Sequence, residues 1–157
     1  MHEDKVKANK LYYDANRYLK ANAENKYLEL LNQAAQLGCI DAQFDLGVWY
    51  KNGEVRDYTK AMYWLNRVIN TNNKPDAIYE LGLCYLYTNE HIKAFETFLI
   101  CSKLKHIEGL NELAKCYFDG IGVIENIRLA KHYWKKAAKK GNDNAKYYLQ
   151  RLKNAIK

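Results

Sequence analysis

Apolar and small residues recur along this chain at steps of three and four positions. The stretch KAMYWLNRVI, residues 60–69, shows the pattern with Ala61, Trp64, Leu65 and Val68. Such spacing places side chains on one face of an α-helix, whereas a half-buried strand alternates apolar and polar residues. The sequence contains no alternating, β-branched run bounded by turn residues. The pattern therefore predicts an all-α protein without a β-sheet.

Three stretches of the sequence align with one another as copies of a repeat. They read DAQFDLGVWYKNGEV from Asp41, DAIYELGLCYLYTNE from Asp76 and EGLNELAKCYFDGIGV from Glu108. The copies share a leucine, a small residue after it and a later tyrosine, at Leu46 and Tyr50, Leu81 and Tyr85, and Leu113 and Tyr117. A second helical stretch follows each copy, at residues 60–69, 93–102 and 129–138, with an earlier one at 26–35. Each repeat is therefore predicted to be two amphipathic helices joined by a turn. A small residue such as Gly47 or Ala61 would let the two backbones approach, with a tyrosine or tryptophan filling the space beside it.

The repeat resembles that of the Sel-one-like repeat (SLR) family, a relative of the tetratricopeptide repeats. The family pattern runs A-x-x-x-L-G-x-x-Y-x-x-G-x-G-V and then K-A-x-x-W-Y-x-K-A-A-x-x-G. The third copy matches it at Leu113, Tyr117, Gly120, Gly122, Val123, Ala130, Tyr133, Trp134, Lys136, Ala137, Ala138 and Gly141. The first copy matches it at Ala42, Leu46, Gly47, Tyr50, Gly53, Val55, Lys60, Ala61 and Trp64. The second copy lacks both turn glycines, so we expect it to have the shorter turn of a plain tetratricopeptide repeat.

The resemblance implies a right-handed superhelical α/α solenoid of about four repeats and about nine helices, in a small protein of the bacterial type. We expect a single repeat domain over residues 1–157. Its parts are a degenerate opening repeat at 1–40, repeats at 41–74, 75–106 and 107–141, and a capping helix at 142–157. Residues 3–20 are expected to form the first helix and residues 143–156 the last.

The stretch YFDGIGV, residues 117–123, is the nearest approach to a glycine-rich signature. A phosphate-binding loop of this kind needs a strand before it and usually a lysine placed for phosphate. Here a helix precedes it and no G-K-[ST] follows. We therefore expect a turn, in which Gly120 ends a helix in the left-handed conformation and Gly122 lets the chain reverse.

The remaining composition offers no recognisable chemistry. The four histidines form no H-E-x-x-H or Cys–His motif, and the four cysteines form no C-x-x-C pair. The N-terminus is charged, and no apolar run approaches the roughly 18 residues of a membrane span. We therefore expect a cytoplasmic protein with reduced, buried cysteines and without a catalytic site, cofactor or metal.

A repeat array acts through its extended surface, because each unit contacts only its neighbours. Similarity to tetratricopeptide geometry implies that the concave groove is lined by the first helix of each pair. The expected groove residues are Phe44, Val48, Tyr79, Leu83, Leu86, Tyr87, Lys115 and Phe118. The same spacing adds four polar positions, Lys51, Asn52, Asn111 and Asp119. Because most of the row is aromatic or aliphatic, it is either a contact surface for a partner or part of the core.

The positive charge is concentrated at the C-terminal end. From Arg128 onward the sequence has ten Lys or Arg residues and one acid, Asp143, although the net charge of the whole chain is +7. A secondary basic patch is expected at Lys135, Lys136, Lys139, Lys140, Lys146 and Arg151. These residues would bind an acidic partner or, less in keeping with the family pattern, nucleic acid. Alternatively, they form only the solvated face of a capping helix.

Together these features predict a non-enzymatic protein–protein interaction module. It would be a monomeric adaptor, scaffold or inhibitor that captures another protein or peptide in its concave groove. The first alternative is an immunity protein that neutralises a cognate bacterial toxin domain. The second is a module whose basic C-terminal end binds an acidic partner or nucleic acid.

Overall fold

The computed structural model describes residues 2–54 and 56–155, and this part of the chain folds into nine helices with no strand. The helices are α1 His2–Lys20, α2 Glu24–Gln36, α3 Ile40–Asn52, α4 Tyr58–Asn72, α5 Pro75–Tyr87, α6 His91–Lys103, α7 Ile107–Asp119, α8 Ile127–Lys139 and α9 Asp143–Ala155. The predicted all-α class and the helix-pair repeats are confirmed. Val55, one of the matched turn positions, and residue 156 of the predicted last helix lie outside the described residues.

The helices pack into two compact units, Met1–Ala77 and Ile78–Lys157. Within each unit, consecutive helices pack against each other, as α1 does on α2 and α3 on α4, and as α7 does on α8. The single repeat domain expected from the sequence and its right-handed superhelical path stay predictions.

Helix boundaries follow local capping chemistry. Asp57 and Asn126 precede α4 and α8, and each side chain accepts a hydrogen bond from a backbone N–H of the first turn. His106 caps α7 in the same manner, since its Nδ1 accepts from the Gly109 N–H at 3.1 Å. Such caps satisfy N–H groups that have no partner within the helix.

The glycine turn between α7 and α8 has the predicted geometry. Gly120 ends α7 with φ of 70° and Gly122 follows with φ of 69°, both in the left-handed region. Gly122 also lies against the backbone of His91 at the start of α6, and a Cβ on Gly122 would collide with the His91 carbonyl oxygen. The corresponding connection between α5 and α6 is shorter, as expected, and spans only residues 88–90.

Small residues on the first helix of a pair let the second helix approach closely. A Cβ built on Gly47 would lie 2.7 Å from Cγ of Leu65, and one on Gly82 would lie 2.6 Å from Cε1 of Phe98. The two helices of a pair therefore approach closely, as predicted, but the side chains that fill the space between them are not the predicted ones. The expectation that a tyrosine or tryptophan fills this space is wrong, because Leu65 and Phe98 occupy it.

The buried core of the second unit includes two clusters that contain aromatic residues. In one, Phe98 packs with Ala94, Leu113 and Cys116. In the other, Trp134 of α8 is fully buried and stacks on Tyr148 of α9 with ring centroids 4.8 Å apart. The aromatic positions of the repeat pattern thus form the contacts between successive helices.

Replacing Ala61 with leucine is expected to destabilise the first unit by about 1–3 kcal/mol, because Ala61 is fully buried where α4 meets α3. Chemical denaturation followed by circular dichroism measures the change. Asn70→Leu, on the exposed side of the same helix, is the matched control and should change stability by less than about 0.5 kcal/mol. Equal midpoints for both variants would contradict close packing at Ala61.

Candidate functional site

Four apolar or aromatic side chains of the expected groove lie along α5. Tyr79, Leu83, Leu86 and Tyr87 are separated by steps that keep them on one side of the helix. Tyr87 is 53% exposed, and the other three are half-buried against the Phe98 cluster. Their inner parts therefore belong to the core, while their outer edges reach the surface.

Tyr79 is held firmly in this row by its neighbours. Its ring centroid lies 5.0 Å from that of His106 and 6.3 Å from that of Phe98. Burial raises the pKa of the Tyr79 phenol, and the carboxylate of Glu112 adds to the shift. The hydroxyl therefore stays protonated at neutral pH and keeps its proton as a hydrogen-bond donor.

On α7 the expected groove has two residues, the charged Lys115 and the aromatic Phe118. Lys115 Nζ donates a hydrogen bond to Glu112 Oε1 at 2.8 Å, and the Asn111 side-chain amide donates to the same oxygen at 3.1 Å. Phe118 packs on Trp134 with ring centroids 5.4 Å apart. Lys115 and Phe118 are half-buried, so each presents only part of its side chain to solvent.

Two polar positions in the row do not reach the surface. At Lys51 and Asn111 the row is part of the core rather than an open face, because they are only 7% and 2% exposed. A periodic spacing assigns a residue to one side of a helix, but the depth of the side chain depends on the neighbouring helices. Asn111 Oδ1 is buried without a hydrogen-bond partner among the described residues.

Phe44 and Val48 belong to the first unit, on α3. Lys74 Nζ lies 4.2 Å from the centre of the Phe44 ring and 3.6 Å from the Asp41 carboxylate. Val48 lines a surface depression of about 390 Å³. The walls of this depression also include Leu19, Tyr27 and Trp49.

One carboxylate borders the Val48 depression. Asp45 accepts a hydrogen bond from the Tyr12 hydroxyl at 2.8 Å. Burial raises the pKa of Asp45 above its ordinary value, although the bond from Tyr12 opposes that shift. The depression thus combines apolar walls with a single acidic group at its edge, a mixture that is typical of sites for a mainly apolar side chain.

The six residues of the secondary basic patch are all exposed, as a solvated or a binding surface requires. Lys146 pairs with Asp143 at 2.7 Å, while Arg151 lies over the Tyr147 ring and Lys136 over the Tyr133 ring. The packing of α8 is thus carried by its aromatic residues and alanines, and its lysines face solvent.

Sequence reasoning missed two lysines near this patch. Lys103 and Lys105, at the end of α6, line a pocket of about 380 Å³ together with three lysines of α8 and its end. The spacing of the repeats could have pointed to these two lysines. Lys103 precedes Lys139 by 36 residues, close to the spacing between repeats, so both lie at the end of a second helix.

The described residues offer little reactive chemistry. The four cysteines are free and buried, and burial raises the pKa of the Cys101 and Cys116 thiols to about 12. These two thiols are therefore protonated at neutral pH and weak nucleophiles. Within the described ranges, no three His, Cys, Asp or Glu side chains come together as metal ligands. None of the described helices is both long enough and apolar enough to span a bilayer.

The model of the Sel1 repeat family matches residues 40–67, 75–87 and 107–142. These ranges coincide with the helix pairs α3–α4 and α7–α8 and with α5. The gap in the match falls on the second repeat after α5, where the turn glycines are missing from the sequence.

Among solved structures, the chain is similar to c5321, described as a protective antigen present in uropathogenic Escherichia coli strains displaying an SLR fold. The match has a TM-score of 0.76 and 25% identity, and covers 88% of this chain and 32% of that one. A Sel1 repeat protein from Oxalobacter formigenes matches with a TM-score of 0.76 and 21% identity, over 90% of this chain and 60% of that one. MamA matches with a TM-score of 0.66 and 27% identity, over 89% of this chain and 76% of that one. These likenesses identify the fold as an all-α helical repeat solenoid.

Among curated proteins, the chain is similar to part of a probable polyketide synthase 24 of Dictyostelium discoideum. The identity is 38%, over 66% of this chain and 5% of the synthase. Probable polyketide synthase 25 of the same organism matches at 28% identity, with the same coverage. The chain therefore spans about one-twentieth of the length of these two relatives.

Proposed function

Since this chain is a Sel1-like repeat protein, we propose that it is a non-enzymatic adaptor or inhibitor that captures another protein through its first-helix surface. We define this surface as the six groove residues of α5 and α7 in the second unit, Tyr79, Leu83, Leu86, Tyr87, Lys115 and Phe118. Such repeat folds are consistent with a protein-interaction module. The proposed occupant is a helix or an extended segment with apolar anchor residues.

The observation that carries the proposal is the half-exposed apolar row on α5. Tyr87 is 53% exposed, and it continues a row whose inner edges are fixed by the Phe98 cluster. Side chains held in this way lose little conformational freedom when a partner covers them, which favours affinity. Aromatic side chains in particular dominate the binding energy of many interfaces.

The first unit offers a second kind of contact. The Val48 depression, with its volume of about 390 Å³ and apolar walls, is large enough to take one apolar side chain. Asp45 at its edge favours a partner residue with a hydrogen-bond donor beside that side chain. A segment bound in this depression would therefore present an apolar anchor next to a donor group.

The finer assignments remain part of this proposal. A role as an immunity protein would require a toxin domain as the occupant of the first-helix surface. Binding of one partner by a monomer in the cytoplasm is the simplest arrangement. Both stay predictions.

Photo-crosslinking in the native cell tests the surface directly. Benzoylphenylalanine in place of Tyr87 should crosslink to a partner protein, whereas the same residue in place of Tyr63 should not. Tyr63 is a suitable control because it is 54% exposed, but lies on α4, a second helix of a pair.

The captured partner is then purified, and its affinity for the double variant Leu83→Asp/Tyr87→Ala is measured. We expect affinity to fall about tenfold or more, because both anchors are lost. Circular dichroism checks that helix content holds. Unchanged affinity in a folded variant, or crosslinking from Tyr63 alone, would rule out the first-helix surface as the binding site.

A further inference from the structure

A lysine-rimmed pocket lies in the second unit, and none of its lining residues belongs to the first-helix surface. Its volume is about 380 Å³, and it is bordered by the ends of α6 and α8 and the first turns of α7. We call it the lysine pocket. Its charged members are Lys103, Lys105, Lys136, Lys139 and Lys140.

The local backbone fixes the α6 side of the pocket. Lys105 has φ of 59°, and its N–H donates to the Ser102 carbonyl at 3.1 Å. The next N–H, of His106, donates to the Cys101 carbonyl at 3.0 Å. These bonds terminate α6 and hold the segment from Lys103 to Lys105 in a defined position.

Among the described residues, no carboxylate neutralises the charges of the lysine pocket. All five lysines are exposed, and the lining contains no carboxylate. None of the five forms an ion pair with another described residue. Glu108, in the first turn of α7, lies instead 3.7 Å from His106 Nε2. Some of these lysines are favourable where they are because the C-terminal ends of α6 and α8 carry partial negative charge. Even so, five like charges around one concavity attract an anionic ligand.

The interior of the lysine pocket is apolar rather than ionic. Leu110 of α7 lines it and is only 3% exposed. Lysine side chains carry four methylenes below their ammonium groups, and these stems cover apolar surface while the charge stays in water. The pocket therefore accepts an apolar group and surrounds it with positive charge.

From this combination we infer that the lysine pocket binds an acidic peptide segment, with one aliphatic side chain inserted and flanking Asp or Glu carboxylates on the lysines. Nucleic acid fits less well, because the lining includes no aromatic ring on which a base could stack. A lipid surface also fits less well, because the apolar face of α8 is already buried in the core. The inference uses residues outside the first-helix surface and does not depend on its function.

The test is fluorescence anisotropy with the full chain and a labelled peptide of Asp and Glu residues around one central leucine, at about 0.15 M salt. Two matched peptides isolate the two parts of the proposal. One has Asn and Gln in place of the acids, and the other has alanine in place of leucine. Each should bind at least about fivefold more weakly than the acidic leucine peptide.

Three protein variants locate the site. Lys103→Glu/Lys139→Glu changes one lysine on each side of the pocket and should weaken binding about tenfold or more. Arg151→Glu/Lys153→Glu makes the same charge change on exposed residues of α9 outside the lining and should weaken it no more than about threefold. This difference is expected because only the first pair lines the pocket. Ser102→Phe fills the pocket without changing its charge, and should weaken binding about fivefold or more.

Circular dichroism spectra establish that each variant is folded before binding is measured. Equal effects of the two double variants, with no effect of Ser102→Phe, would mean that the peptide is held by diffuse charge attraction. That result would overturn the assignment of the binding site to the lysine pocket. Tighter binding of a single-stranded oligonucleotide or of anionic lipid vesicles, with the same dependence on Lys103 and Lys139, would overturn the peptide assignment. Absence of binding by the acidic leucine peptide would do the same.

Discussion

Replacing Trp134 with alanine is expected to lower the free energy of unfolding by about 3–5 kcal/mol. Among the described residues Trp134 is the largest fully buried side chain, and it packs between Phe118 of α7 and Tyr148 of α9. Its removal leaves a cavity that three helices border, so the surroundings cannot collapse without shifting. A loss of this size is a large part of the 5–15 kcal/mol by which domains are usually stable. Urea denaturation followed by circular dichroism measures it.

Trp134→Phe is the informative companion to this variant. The indole Nε1 is buried and has no hydrogen-bond partner among the described residues. Phenylalanine therefore removes some volume but also removes a polar group that is costly to bury unpaired. We expect a loss below about 1.5 kcal/mol. If phenylalanine cost as much as alanine, the indole N–H would have to make an interaction that stabilises the fold.

Gly122→Ala is expected to destabilise the second unit for two additive reasons. Gly122 has φ of 69°, a conformation that costs a residue with a Cβ about 1–2 kcal/mol. Its new Cβ would also collide with the carbonyl oxygen of His91, which is backbone and cannot rotate away. The collision should add about 1–3 kcal/mol. Thermal denaturation should show the combined loss as a lower melting temperature.

Gly141→Ala separates the two causes. Gly141 has φ of 97°, again in the left-handed region, but a Cβ there would have no heavy atom within 4 Å. This control should therefore show the backbone cost alone. Melting temperatures lowered equally by the two substitutions would mean that the turn does not press on His91.

The repeat architecture could be predicted from the sequence because it depends on local pattern. Leucines in equivalent positions, such as Leu46 and Leu113, set the register of successive helix pairs, and helical periodicity is visible over each stretch. The conformation of Gly120 was also predictable, since a glycine at the end of a helical pattern is a common stop signal. Helices α3, α5 and α7, which carry the three aligned copies, begin at Ile40, Pro75 and Ile107.

The depth of individual side chains could not be read from the sequence. Gly47 and Gly82 were recognised as close-contact positions, but the residues that face them, Leu65 and Phe98, depend on the rotation of the second helix. The burial of Lys51 was missed for a similar reason, because its neighbours come from other helices. The lysine pocket was missed because its members lie on two repeats, and only their three-dimensional arrangement brings them to one concavity.

The contact between Gly122 and His91 also has a thermodynamic meaning. In a linear array of repeats, stability is approximately the sum of a term for each repeat and a coupling term for each pair of neighbours. Gly122 belongs to the turn of the third repeat, whereas His91 begins the second helix of the repeat before it. Their contact is therefore a coupling term, outside the stability of either hairpin alone. A turn that at first resembled a ligand loop thus contributes to the cooperativity with which these two repeats fold.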